Sequence, residues 1–115
     1  MGGENSVKIS RVILFTSKMD AMTTYYRDVL GLKQVTDEKG RREFAAGGVR
    51  IALHSGPASP GRKGPKIVFG AKDVGALRER LVARGATFGK VRESDTFCLC
   101  DGKDPDGNPI QLSSH

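Results

Sequence analysis

The chain has 115 residues, 37% hydrophobic and 28% charged, with a formal net charge of +6 and a pI near 9.6. That length admits one modest core rather than two independent ones, and no apolar run approaches a membrane span. The basic residues are scattered and lack aromatic interleaving, which argues against a nucleic-acid groove. Cys98 and Cys100 make no disulfide framework. With no hydrophobic leader, a reducing cytoplasm is the expected compartment. Met1-Gly2-Gly3-Glu4-Asn5-Ser6 fits both a myristoylation pattern and a plain Gly-rich leader.

The first expected strand covers 7–16. Val7, Ile9, Ile13 and Phe15 share one face, interrupted by Arg11; Val12 and Leu14 share the other. With both faces apolar, the strand is expected to be covered on both sides. Ser17 reads as an N-cap with Asp20 at the capping-box position. Met19, Met22, Tyr26, Val29 and Leu30 then recur at helical spacing, and Gly31 ends the helix. Strands are expected over 32–36, 43–46 and 49–54, with turns at 37–40 and at Gly47-Gly48. The first unit, about 7–54, is therefore βαβββ.

The stretch 55–65 is rich in Gly, Pro and Ser and reads as a linker. The order then restarts. A strand over 66–71 leads to a helix capped by Asp73, carrying Val74, Leu77 and Leu81 and ending at Gly85. Strands over 87–91, 96–100 and 109–113 complete a second βαβββ unit, about 66–114. Val12-Ile13-Leu14 is echoed by Ile67-Val68-Phe69, and Gly31 by Gly85. Such a repeat implies one pseudo-symmetric domain over 1–115 with a cavity or seam between its halves.

Before the last strand stands Asp104-Pro105-Asp106-Gly107-Asn108, a tight turn whose acids are expected to bond its own backbone. In the strand behind it, Ile110 and Leu112 share an apolar face, and Gln111 and Ser113 a polar one.

Three stretches carry a family resemblance: Arg11-Val12-Ile13-Leu14, Tyr25-Tyr26-Arg27-Asp28-Val29-Leu30-Gly31-Leu32, and 104–112. Together they resemble the vicinal oxygen chelate superfamily, which groups glyoxalase I, bleomycin-resistance, fosfomycin-resistance and extradiol dioxygenase proteins. The resemblance implies an α+β fold. Two βαβββ modules place curved mixed sheets around a cavity, with one helix outside each sheet. It also implies a homodimer.

In metal-using relatives the ligands are His, Glu or Gln on four cavity-facing strands. Here those positions fall on Arg11, on Ala52 (or His54 if the pairing slips by two), on Lys66 and on Gln111. Arg cannot ligate a cation, and protonated Lys is repelled by one. The expectation is therefore no metal and no other cofactor; were a divalent metal present, His54 and Gln111 would be its ligands.

The residues expected to line a ligand cavity are Arg11, Phe15, Arg50, His54, Lys66, Gln111 and Ser113. Two Arg and one Lys over an apolar floor suit an anionic or aromatic small molecule. The competing reading pairs Arg11 with Glu43 or another acid and leaves Arg50 at a strand edge in solvent. Tyr25 or Tyr26 would add stacking surface, although Tyr26 suits the core. Cys98 and Cys100 share a face, as a redox pair, as soft metal ligands, or, in the favoured reading, as two small buried residues.

The functional expectation is a metal-free small-molecule-binding protein, with no catalytic residue assigned and no role in nucleic-acid or membrane binding. The alternative is a metal-dependent lyase, isomerase or dioxygenase of the same superfamily. A third reading is an interaction module presenting Arg78, Arg80 and Arg84 on the second helix to an acidic partner.

Overall fold

The structure, a computed structural model, describes residues 9–58 and 65–115. The Gly-rich leader and most of the linker lie outside the described residues, as does Val7. The elements are β1 (Arg11–Thr16), α1 (Met19–Thr23) continued by a π-helical stretch (Thr24–Val29), β2 (Lys33–Glu38), β3 (Arg41–Ala46) and β4 (Val49–Ser55). The second unit has β5 (Ile67–Gly70), α2 (Val74–Ala83), β6 (Arg92–Glu93), β7 (Cys98–Lys103) and β8 (Pro109–Ser113).

Each unit forms a four-stranded mixed sheet, ordered β1-β4-β3-β2 and β5-β8-β7-β6. The first strand of each unit runs parallel to the last, β1 with β4 and β5 with β8. The remaining pairs are antiparallel. The fold is α+β, two βαβββ units with a helical element each.

One face of each sheet carries the core. Phe44, Ile51 and Leu53 of the first sheet and Cys100, Ile110 and Leu112 of the second join Met22, Tyr25, Tyr26, Val74 and Leu81 in a single buried cluster. The two units meet there. Leu30 and Leu32 border Phe69, Leu77 and Leu112 across a narrow apolar crevice. The Arg84 guanidinium donates to the Val29 carbonyl.

Several expectations need correction. Ser17 is not the cap of α1. Lys18 holds that position without a side-chain cap bond, and Thr16 Oγ1 instead accepts from the Lys18 amide at 2.8 Å. The helix then widens, as the Leu30 amide reaches back to the Tyr25 carbonyl, an i→i−5 bond. The turn after β2 is the Lys39-Gly40 pair, with Gly40 at φ +79°, so β2 and β3 are longer than the Asp and Glu content suggests.

The strand expected over 87–91 is not formed. Only a single bridge pairs Phe88 with Gly102. Arg78 explains this, because its guanidinium takes the carbonyls of Phe88 (2.9 Å) and Gly89 (2.7 Å) that a ladder would need. Finally, β1 is not covered on both sides: Ile13 and Phe15 on the outer face are exposed, and on the core face Val12 is still 37% exposed.

Candidate functional site

The face of each sheet away from the core carries the residues of interest. In a β-sheet, directly paired residues project to the same side. Across the first sheet the register aligns Arg11, Arg50, Ala45 and Lys33 in one row, and Ile13, Ala52, Glu43 and Thr36 in the next. A third row holds Phe15, His54, Arg41 and Glu38. Across the second sheet, Val68, Gln111 and Asp101 form one row, and Gly70, Ser113, Leu99 and Arg92 another.

The centre of the first face is Glu43, only 3% exposed. Its carboxylate accepts from Arg50 Nη1 at 2.9 Å and from Arg11 Nη1 at 3.3 Å. Both Arg side chains remain 50% exposed. The Arg50 hydrogen bond, aided by the Arg11 charge, holds the Glu43 carboxyl below the usual carboxylate range against the opposing effect of burial.

The second face repeats the device. Asp101 Oδ1 accepts from Gln111 Nε2 at 2.8 Å and from Lys66 Nζ at 3.1 Å, and Oδ2 accepts from Arg92. The Gln111 bond first, then Lys66 and Arg92, hold its carboxyl low as well. By the repeat, Arg11 corresponds to Lys66, Ile13 to Val68, Ala52 to Gln111 and Glu43 to Asp101. Each face thus carries an ionised carboxylate at the same place in its third strand, clasped by two cations, with one positive charge in excess.

The register brings Arg11, Phe15, Arg50 and His54 onto one face. Phe15 is 54% exposed and meets the His54 ring edge-on at 5.9 Å. Lys66 and Gln111 meet on the other face through Asp101. Ser113 lies in the adjacent row but is buried, and its Oγ accepts from the His115 amide. His115 stacks near Phe97, ring centres 4.8 Å apart. Tyr25 and Tyr26 do not join these faces; both are buried on the core side. Nor do Arg78 and Arg84 form a free basic stripe, since both are bonded to backbone carbonyls.

Asp101 and Arg92 escape a reading of the sequence because Asp101-Gly102 looks like the start of a turn. The signal was available in the repeat, which aligns Asp101 with Glu43. Cys100 is fully buried and Cys98 partly so, and burial pushes both thiols up.

The positions that the resemblance assigns to metal ligands do not fit a divalent cation. Arg11 and Lys66 are themselves cations, each bonded to a carboxylate, and Ala52 has no donor atom. Gln111 turns its amide nitrogen to Asp101, which leaves one neutral oxygen where several donors are required. His54 pairs with Phe15 and Arg41, a row away from Ala52. Among the described residues no group of three or more His, Cys, Asp or Glu is placed to hold a metal.

No helix among the described residues is long and apolar enough to cross a membrane. No curated protein matches the chain. Solved structures do. A lactoylglutathione lyase from Agrobacterium tumefaciens is 21% identical, with a TM-score of 0.75 over 94% of this chain and 93% of that one. A glyoxalase/bleomycin resistance protein/dioxygenase from Nocardioides is 19% identical, with a TM-score of 0.79 over 95% of this chain and 83% of that one. A virulence protein from Salmonella typhimurium is 21% identical, with a TM-score of 0.71 over 94% and 96%. At these identities the likeness is one of fold. The family model described as Glyoxalase/Bleomycin resistance protein/Dioxygenase superfamily matches residues 8–112, so the chain belongs to that superfamily.

Proposed function

We propose that the chain is a metal-free small-molecule-binding member of its superfamily, and that its helix-free faces take an anionic or neutral aromatic ligand. The observation that carries this reading is the pair of clasped carboxylates. Where metal-using relatives place ligands, this chain places Arg11 and Lys66, each tied to an acid by hydrogen bonds. The excess positive charge on each face favours an anion. The half-exposed guanidinium groups retain N–H donors suited to a planar carboxylate or to phosphate. Exposed Phe15 and Val68, the latter 53% exposed, supply apolar surface beside the charge.

The two carboxylates are poor candidates for general bases. Both are held below the ordinary carboxylate range, far from the near-neutral value such chemistry favours. This supports binding over catalysis. In the proposed working form two copies of the chain pair, because Ile13, Phe15 and Val68 are large apolar residues left in solvent by one copy alone.

Titration of the protein with benzoate, phenyl phosphate, benzyl alcohol and benzylamine tests the proposal. The expected order places both anions ahead of the alcohol and the amine last. Tighter binding of benzylamine than benzoate would sink it.

A further inference from the structure

Beside the Arg11–Glu43–Arg50 cluster, at the open end of the first sheet, lies a cleft of about 330 Å³. It is lined by Ile9, Ser10, Val35 and Ala45, by the Gly47-Gly48 turn with Val49, and by Arg50. The volume sits at the small end of ligand pockets. Sequence explains why it stays open. Ala45 is the direct cross-strand partner of Arg50 and offers only a methyl group beside the guanidinium. A Cβ added at Gly47 or Gly48 would meet nothing within 4 Å. Ile9 is 66% exposed and Val35 is exposed too, so both leave apolar surface in water.

We infer that this cleft holds the apolar tail of an amphipathic monocarboxylate whose head group binds the outward N–H groups of Arg50, with Arg11 alongside. The inference rests on the anion-binding reading above and adds the ligand class and the place of its tail. Charge and geometry select this class. Glu43 already occupies one Nη1 of each guanidinium, which leaves one unit of positive charge for the ligand. Arg presents the remaining donors as a planar fork that fits a carboxylate. The cleft beside the fork carries the apolar side chains of Ile9, Val35 and Ala45, so a linear or branched aliphatic body gains by leaving water against them.

The test is calorimetric and NMR titration of the full-length chain with octanoate, acetate, octan-1-ol and octylamine. Octanoate is expected to bind about tenfold or more tightly than each of the other three, since only it satisfies both the fork and the cleft. Its amide shift changes should centre on Val35, Ala45, Gly47 and Gly48. Ala45→Phe, which fills the cleft, should abolish the advantage of octanoate over acetate while acetate binding persists. The wild-type shift map decides the matter if that variant does not fold.

Octanoate binding no tighter than acetate overturns the cleft and leaves the anion face standing. Octan-1-ol matching octanoate overturns the role of Arg50. Tight octanoate binding with shift changes centred elsewhere overturns the location. If no carboxylate binds, both this inference and the reading beneath it fail.

Discussion

Glu43 and Asp101 are the residues on which each sheet face turns. Glu43 is buried and Asp101 partly exposed; each carboxylate, held by two cations, is stabilised by them and also neutralises half their charge. Replacing Glu43 by Ala leaves Arg11 and Arg50 facing each other. The expected cost is about 1–2 kcal/mol in urea unfolding, modest because both Arg are half-exposed and screened. Glu43→Gln should raise benzoate affinity about tenfold by removing the competing negative charge. The pH dependence follows from the direction of the shifts. Both carboxyls sit below their ordinary values of 4.5 and 3.8 when folded. Their contribution is therefore complete above those values and is lost as pH falls through the folded ones. Wild-type stability should drop as pH falls below about 4.5 more steeply than that of the Glu43→Gln, Asp101→Asn double variant. Parallel curves would contradict the role of these acids. The Arg11–Glu43 pair was legible in the sequence as one of two readings. What the sequence does not specify is that Arg50 joins the same carboxylate, because that depends on the β3–β4 register.

The elements follow from local signals where turn chemistry is strong. Asp73 caps α2 by accepting from the Ala76 amide at 3.0 Å, and the Gly47-Gly48 turn pairs β3 with β4 as the alternation suggests. The signals fail where a tertiary contact competes. Residues 87–91 have strand-like composition, yet Arg78 captures two of their carbonyls. At 101–103, Asp and Gly look like a turn, yet β7 runs through to Lys103. Gly102 makes that crossing possible. A Cβ there would lie 2.6 Å from the Thr87 carbonyl oxygen and 2.7 Å from the Phe88 ring. Gly102→Ala should therefore destabilise the protein by about 1–3 kcal/mol, measured by thermal or urea unfolding. An unchanged midpoint would mean that the 87–89 segment moves aside freely.

At the scale of the molecule, the two most family-like stretches of sequence turn out to touch. The Tyr26 hydroxyl, in the first unit, donates to Asp104 Oδ2 at 2.7 Å in the second. Asp104 also accepts from the amides of Asp106 and Asn108 and from Asn108 Nδ2. The turn acid is thus a knot joining the final hairpin to the first helix. Burial, and then the Asp104 charge, drive the Tyr26 phenol well above its usual value, so it remains a donor. Tyr26→Phe should cost about 1–2 kcal/mol and Asp104→Ala about 3 kcal/mol, since the latter orphans several donors at once. Light scattering should give the mass of two chains for the pairing proposed above; a single-chain mass would contradict it. The repeat, and with it the fold, was readable from βαβββ order and matching glycines. The link between units was not, because nothing in either stretch alone says that they meet.

Arg11 and Lys66, which clasp Glu43 and Asp101, stand at two of the positions where the resemblance places metal ligands. The most direct measurement is the metal content of the purified, untagged protein after dialysis against Ni²⁺, Zn²⁺, Mn²⁺ and Fe²⁺ in turn. The expected result is no stoichiometric retention of any of them. Near-stoichiometric retention of one, lost in a Gln111→Ala or His54→Ala variant, would contradict the metal-free reading and turn attention to lyase and dioxygenase chemistry.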